Sequence, residues 1–132
     1  MKLARLVEMI QEDSNGAEEW PVLFTSYLQN ASGEWREVEG VRQPIASVAV
    51  EEGAEEVLLI KNSDRAPLPV KMLMEELKSL MTRYSDFTVD CCETPIVLDD
   101  GATIHIDFPV VGTGRDERNR CYLVLYASKV SS

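Results

Sequence analysis

The chain has 132 residues, 45% of them hydrophobic and 27% charged, a balance that suits one globular domain or two small units fused around one core. Twenty-three acidic residues against 13 basic give a net charge of −10. That field repels phosphate backbones and anionic membrane surfaces, and no apolar run approaches the roughly 18 residues that span a bilayer. Neither nucleic acid nor membrane is therefore an expected partner.

The first residues, Met1-Lys2-Leu3-Ala4-Arg5, turn amphipathic at Glu8, Glu12 and Asp13. A secretory signal needs an unbroken apolar stretch there, so a cytoplasmic location is expected. Three cysteines, Cys91, Cys92 and Cys121, are an odd number, and two of them are adjacent. Free thiols in a reducing compartment follow as the default reading.

Taken in order, the elements repeat. "LARLVEMI" (3–10) lies over "VKMLMEEL" (70–77) at a shift of 67 positions, with Leu3 on Val70, Leu6 on Leu73, Val7 on Met74 and Ile10 on Leu77. Apolar residues at i, i+3, i+4 and i+7 predict a helix in each copy. The same shift puts "EWPVLF" (19–24) on "DFTVDC" (86–91), both alternating like a strand, with Phe24 on Cys91. "PIASVAV" (44–50) and "TIHIDFPV" (103–110) follow in looser register, then the apolar runs "EEVLLIK" (55–61) and "RCYLVLYA" (120–127). Asn15-Gly16 reads as the stop of the first helix, and Glu51-Glu52-Gly53 and Asp99-Asp100-Gly101 as hairpin turns. Residues 1–61 form one α-β-β-β unit and 69–128 a second, joined by a proline-containing linker at 62–68 with Pro69 opening the second helix. The expected fold is α+β: a tandem duplication of an α-β-β-β unit in one compact domain, with antiparallel sheet or sheets and two helices packed on one face.

Alternation assigns Trp20, Val22 and Phe24 to one sheet face, and Phe87, Val89 and Cys91 to its counterpart, so Cys91 is expected in the core. Leu23, Tyr27, Tyr122, Val124 and Tyr126 are expected on the opposite face, where an apolar patch would serve a homodimer or another protein.

Asp90 and Cys92 share one strand face, and His105 and Asp107 share another. If those strands pair, the four gather into a possible zinc or iron set, although no C-x-x-C or H-x-x-x-H spacing supports it. Cys92 with His105 is the corresponding thiol-enzyme arrangement, without any sequence sign of an oxyanion hole. The commoner reading of both is a polar sheet face, so no metal, no cofactor and no catalytic residue are expected. "GTGRDERNR" (112–120) leads into a strand, whereas a phosphate-cradling loop leads into a helix, and Asp116 and Glu117 dilute its arginines. Met72 is the methionine of the second helix expected at a surface, with Met74 and Met81 facing the core. Glu51, Glu52, Glu55 and Glu56 form an acidic rim able to meet a basic partner.

"LPVKMLMEELKSLMTRYSDFTVDC" (68–91) resembles the helix-to-strand opening of many small bacterial and bacteriophage proteins, through Leu73, Leu77, Leu80, Tyr84, Asp86 and Val89. Size, acidity and the helix–three-strand opening are also similar to type III secretion chaperones, which implies a dimer that binds one protein. The chain departs from them at "RCYLVLYASKVSS", which reads as a strand and tail where they close with a helix. Together these point to a non-enzymatic protein-binding domain: an acidic inhibitor or adaptor on a basic partner surface, or else a chaperone-like or immunity-type partner. A small metal or thiol enzyme at Cys92 and His105 is the opposing class.

Overall fold

The computed structural model describes all residues except 30, 39–41, 63, 94–95, 105–106 and 128–132. The elements are α1 (Leu3–Asp13), β1 (Val22–Gln29), β2 (Trp35–Glu37), β3 (Gln43–Glu51), β4 (Glu56–Lys61), α2 (Val70–Tyr84), β5 (Thr88–Glu93), β6 (Ile96–Val97), β7 (Thr103–Ile104), β8 (Asp107–Asp116) and β9 (Cys121–Ala127). The fold is α+β, with both helices packed against a seven-stranded sheet, as the sequence pattern predicts.

The sheet differs from the expected antiparallel one. Its order is β2-β1-β3-β4-β5-β8-β9, and β1 also pairs with β9, so six strands close into a ring and β2 hangs on β1. Pairing within each half is antiparallel, whereas β4–β5 and β1–β9 are parallel. The cause lies in the connection between the halves. A strand followed by a crossover helix re-enters the sheet in its original direction, which is the route β4–α2–β5 takes. The Asp99-Asp100-Gly101 turn, expected to join the two longer strands, instead joins the small β6–β7 ladder.

The contacts between the halves come in matched sets. Lys2 bridges to Thr88 and Pro69 to Pro21; each member of one bridge lies 67 positions from its counterpart in the other. The first free N–H groups of α1 are satisfied from the second half, Leu3 donating to Phe87 O at 2.9 Å and Ala4 to Ser85 O at 3.1 Å. Those of α2 are satisfied from the first, Val70 donating to Trp20 O and Lys71 to Glu18 O, both at 2.9 Å. Helix N-termini leave such donors unpaired unless something else accepts from them, so each half completes the other's helix. Pro69 itself is the N-cap of α2, in extended conformation just outside it.

The later strands match at a shift of 65. A bulge lies between Ile45 and Ser47 in β3 and another between Val110 and Gly112 in β8. Among the described residues, Glu55 and Arg120 are the two non-glycine residues at positive φ, 55° and 51°, each just ahead of a strand that pairs in parallel with the other half. The two-residue change in shift explains why the sequence register loosens after the first strand of each half.

Leu3, Leu6, Val7 and Ile10 of α1 and Val70, Leu73, Met74 and Leu77 of α2 enter one core with Val22, Phe24, Ile45, Val57, Leu59, Val89, Cys91 and Val110. Met81 packs at its edge, and Met72 is exposed. Tyr122, Val124 and Tyr126 also point into this core, which corrects their expected outward placement. The reason is register: Tyr122 pairs with Val22, Val124 with Phe24 and Tyr126 with Ser26, and directly paired residues share a face. Leu23 and Tyr27 remain on the outer face and are half-buried. Tyr122, Val124 and Tyr126 are therefore not part of an outer apolar patch. Arg115 closes α1 from β8, donating to Asp13 O and Asn15 O at 2.8 Å each while its guanidinium lies 4.9 Å from the Trp20 ring centre.

Candidate functional site

Two clusters of charged side chains occupy equivalent places on the outer face. Asp116 pairs with Cys121 at the β8–β9 turn, and Glu51 pairs with Glu56 at the β3–β4 turn, 65 positions earlier. Arg42 precedes β3 by one residue, and its counterpart at the same shift is Asp107, the first residue of β8.

In the first cluster the arginine is fully engaged. Arg42 Nε and Nη2 donate to the two oxygens of Glu37, at 2.5 and 3.0 Å, and Nη1 donates to Asp116 Oδ2 at 2.6 Å. Nη1 also reaches Cys121 Sγ at 3.5 Å. Asn119 holds Asp116 from the turn, through its backbone N–H and its side-chain amide. The Asp116 carboxyl consequently lies far below the usual range, held there by Asn119 and Arg42, and Glu37 is lowered chiefly by its bond to Arg42. A forked guanidinium between two carboxylates is the strongest form of surface ion pair.

The second cluster has an aspartate where the first has its arginine. Oxygens of Glu51, Glu56 and Asp107 lie within 4.8 Å of one another, a spacing at which one cation can touch all three. Asp90 joins from β5, its side chain over nine-tenths buried beneath them. Burial, and then the charges of Asp90 and Asp107, push Glu56 up to about 7. Asp90 is raised too, mainly by burial, with the N-terminal ammonium working the other way. Glu56 and Asp90 lie diagonally across the β4–β5 seam, since Glu56 pairs with Thr88 and Leu58 with Asp90.

The expected constellation is thus partly assembled. Asp90 and Asp107 do come together on one face, and Cys92 pairs directly with Asp107. Cys92 itself is fully buried. His105 lies outside the described residues. Glu51 and Glu56, read in sequence as rim residues, belong to the cluster, whereas Glu52 and Glu55 stay exposed in the turn. Cys91 is in the core, its thiol pushed well up by burial. Cys121 is buried beside Arg42 and raised by burial.

Sequence reading missed Arg42, Glu37 and Asp116. The signal was present as an arginine and an aspartate at equivalent positions, but it becomes visible only when the second shift of 65 is known. Among the described residues no helix is long and apolar enough to cross a membrane. Comparison with protein-family models, with curated proteins and with solved structures finds no match to this chain.

Proposed function

We propose that this chain is a non-enzymatic, cytoplasmic protein-binding domain whose acidic outer face receives a basic side chain of a partner protein. The observation that carries this reading is the contrast between equivalent positions. On one side of the ring the strands seat Arg42 between Glu37 and Asp116. On the other, the same backbone arrangement brings Glu51, Glu56 and Asp107 together, with Asp90 beneath. Such a geometry matches a guanidinium or ammonium supplied from outside, and charge complementarity of this kind governs encounter rate and partner choice. The net charge of −10 favours a basic partner surface over any polyanion. The recurring contacts further support the inference that the fold arose by duplication of one α-β-β-β unit.

A thiol enzyme at Cys92 and His105 gains no support from a cysteine sealed in the protein. A labelled arginine-rich peptide tests the binding reading by fluorescence anisotropy at low salt. Neutralising Glu51→Gln and Asp107→Asn together should weaken binding at least about tenfold, as the loss of close charge pairs does. The pair Glu8→Gln and Glu76→Gln, which removes the same charge from the helices, should leave binding within about twofold. Equal losses from both pairs would show a diffuse field effect in place of a seat.

A further inference from the structure

The surface that joins the two halves has the pattern of a contact between identical copies. Where two copies meet about a two-fold axis, a contact of position i with position j is repeated as j with i. The halves obey that rule once counterpart positions are matched. Lys2–Thr88 recurs as Pro21–Pro69 at a shift of 67. Val22–Tyr122 recurs as Val57–Val89 across the two parallel seams, with the shift of 65 for the later strands. The bond from Val89 N to Met1 O, 2.8 Å, recurs as Val22 N to Leu68 O, 2.9 Å. Residues 62–67 are the covalent link between the halves, running from the end of β4 to the Leu68–Pro69 entry of α2. Asn62 follows β4 and donates to Pro44 O at 3.3 Å, on the β4 side of β3. Leu68 lies on the β1 side of β3, donating to Ile45 O at 2.9 Å and accepting from Val22. Two strand spacings, about 10 Å, separate those sides, and the link must also pass over the backbone of β3 between them.

We propose that this surface fits a second copy of the chain: two chains exchange their second halves about residues 62–67 and close as a dimer of two complete rings. The matched contacts between the halves all lie outside the link, so they form equally well when the two halves belong to different chains. The helix caps are kept as well, since Leu3, Ala4, Val70 and Lys71 each donate across the same surface. What changes is the link, from a turn to an extended run between rings. That turn is exposed at Asp64, Arg65 and Ala66 and held by local bonds, Asp64 N to Asn62 Oδ1 at 2.9 Å and Arg65 N to Asn62 O at 3.2 Å. Exchange closes after two chains, because each has one half to give and one to receive. At its native length the link holds the halves at an effective concentration of roughly millimolar, so the single-chain form prevails at micromolar concentration. Shortening the link removes that advantage.

Lys2→Cys together with Thr88→Cys reports which chain supplies each half, because the two residues are exposed and bridge directly across the seam. A disulfide there is internal in the single-chain form and joins two chains in the exchanged form. Deleting residues 63–66 leaves two steps from Asn62 to Leu68, at most about 7 Å of extended chain, too little for the crossing. Light scattering of the shortened chain should give a dimer at about 10 µM, well below the concentration at which the native link competes. With the cysteine pair added, that dimer should run as a covalent dimer on a non-reducing denaturing gel. A folded monomer after the deletion overturns the proposal, and so does a dimer whose disulfides are internal. Should the shortened chain fail to fold, the native link decides. The cysteine-pair chain is refolded under reducing conditions at high or low concentration, then diluted and oxidised. Refolding at about 1 mM should yield at least about tenfold more interchain disulfide than refolding at about 10 µM. An interchain fraction that does not rise with concentration overturns the exchange.

Discussion

The two outer clusters put different charges on one backbone plan. Around Arg42 the positive charge is built in, and Glu37 and Asp116 are both lowered by it. Around Asp107 the covalent chain supplies carboxylates at the matching places, and Glu56 and Asp90 are both raised. The backbone pairing is the same, since Asp116–Cys121 and Glu51–Glu56 are equivalent pairs. What differs is the side chains at matched positions: Arg42 against Asp107, Asp116 against Glu51 and Cys121 against Glu56. In the first cluster the cation is Arg42, part of the chain itself; among the described residues the second gathers only carboxylates.

The core offers the largest test of how far the two halves are alike. Phe24 and Cys91 fill equivalent places, both buried. Phe24→Ala should cost about 3–5 kcal/mol and Cys91→Ala only about 1–2 kcal/mol, because the cavities differ in size. Denaturant midpoints at constant slope measure both, and equal costs would mean that the halves do not share core positions in the way the register indicates.

Arg42→Met comes next, with an expected loss of about 2–3 kcal/mol at neutral pH, since it strands two partly buried carboxylates. The pH dependence separates the clusters. Asp116 and Glu37 are lowered, so their stabilisation is present above the ordinary values of 3.8 and 4.5 and is lost as pH falls through their depressed folded values. Arg42→Met should flatten that acid arm. Glu56 is raised, so the native state holds an extra proton above pH 4.5, and stability should fall as pH rises from there to about 7. Thermal unfolding across pH should show Glu56→Gln flattening the second arm and leaving the first unchanged. If one substitution alters both arms, the clusters are not independent.

The smallest effect concerns Glu55 and Arg120, both held at positive φ. Replacing either with glycine removes left-handed strain at some entropic cost, for a gain of up to about 1 kcal/mol. The two gains should agree within experimental error, and a gain at only one position would show that the turns are not equivalent.

Much of the architecture was legible in the chain itself. Helix spacing places Leu3, Leu6, Val7 and Ile10 and their four counterparts in the core, and all eight are there. The shift that sets Cys91 on Phe24 holds because strand faces alternate with a period of two, and a register with no gap preserves that parity. Tyr122 and Tyr126 were misplaced because their face depends on a parallel pairing with β1, some hundred positions away in sequence. No local pattern encodes which remote strand a run of apolar residues will meet. The site shows the same division. Asp90 and Asp107 sharing a face follows from alternation once β5 and β8 pair, whereas Glu51 and Glu56 join them only because β4 lies beside β5.

By itself, the sequence determined composition, charge and element type, since each depends on residues near in sequence or on their sum. Only the tertiary structure decided that the sheet closes, that each half caps the other's helix, and that an arginine and an aspartate occupy equivalent places with opposite consequences. Those outcomes depend on contacts between distant segments, where burial and neighbouring charge, absent from any local pattern, set both the packing and the protonation of the groups.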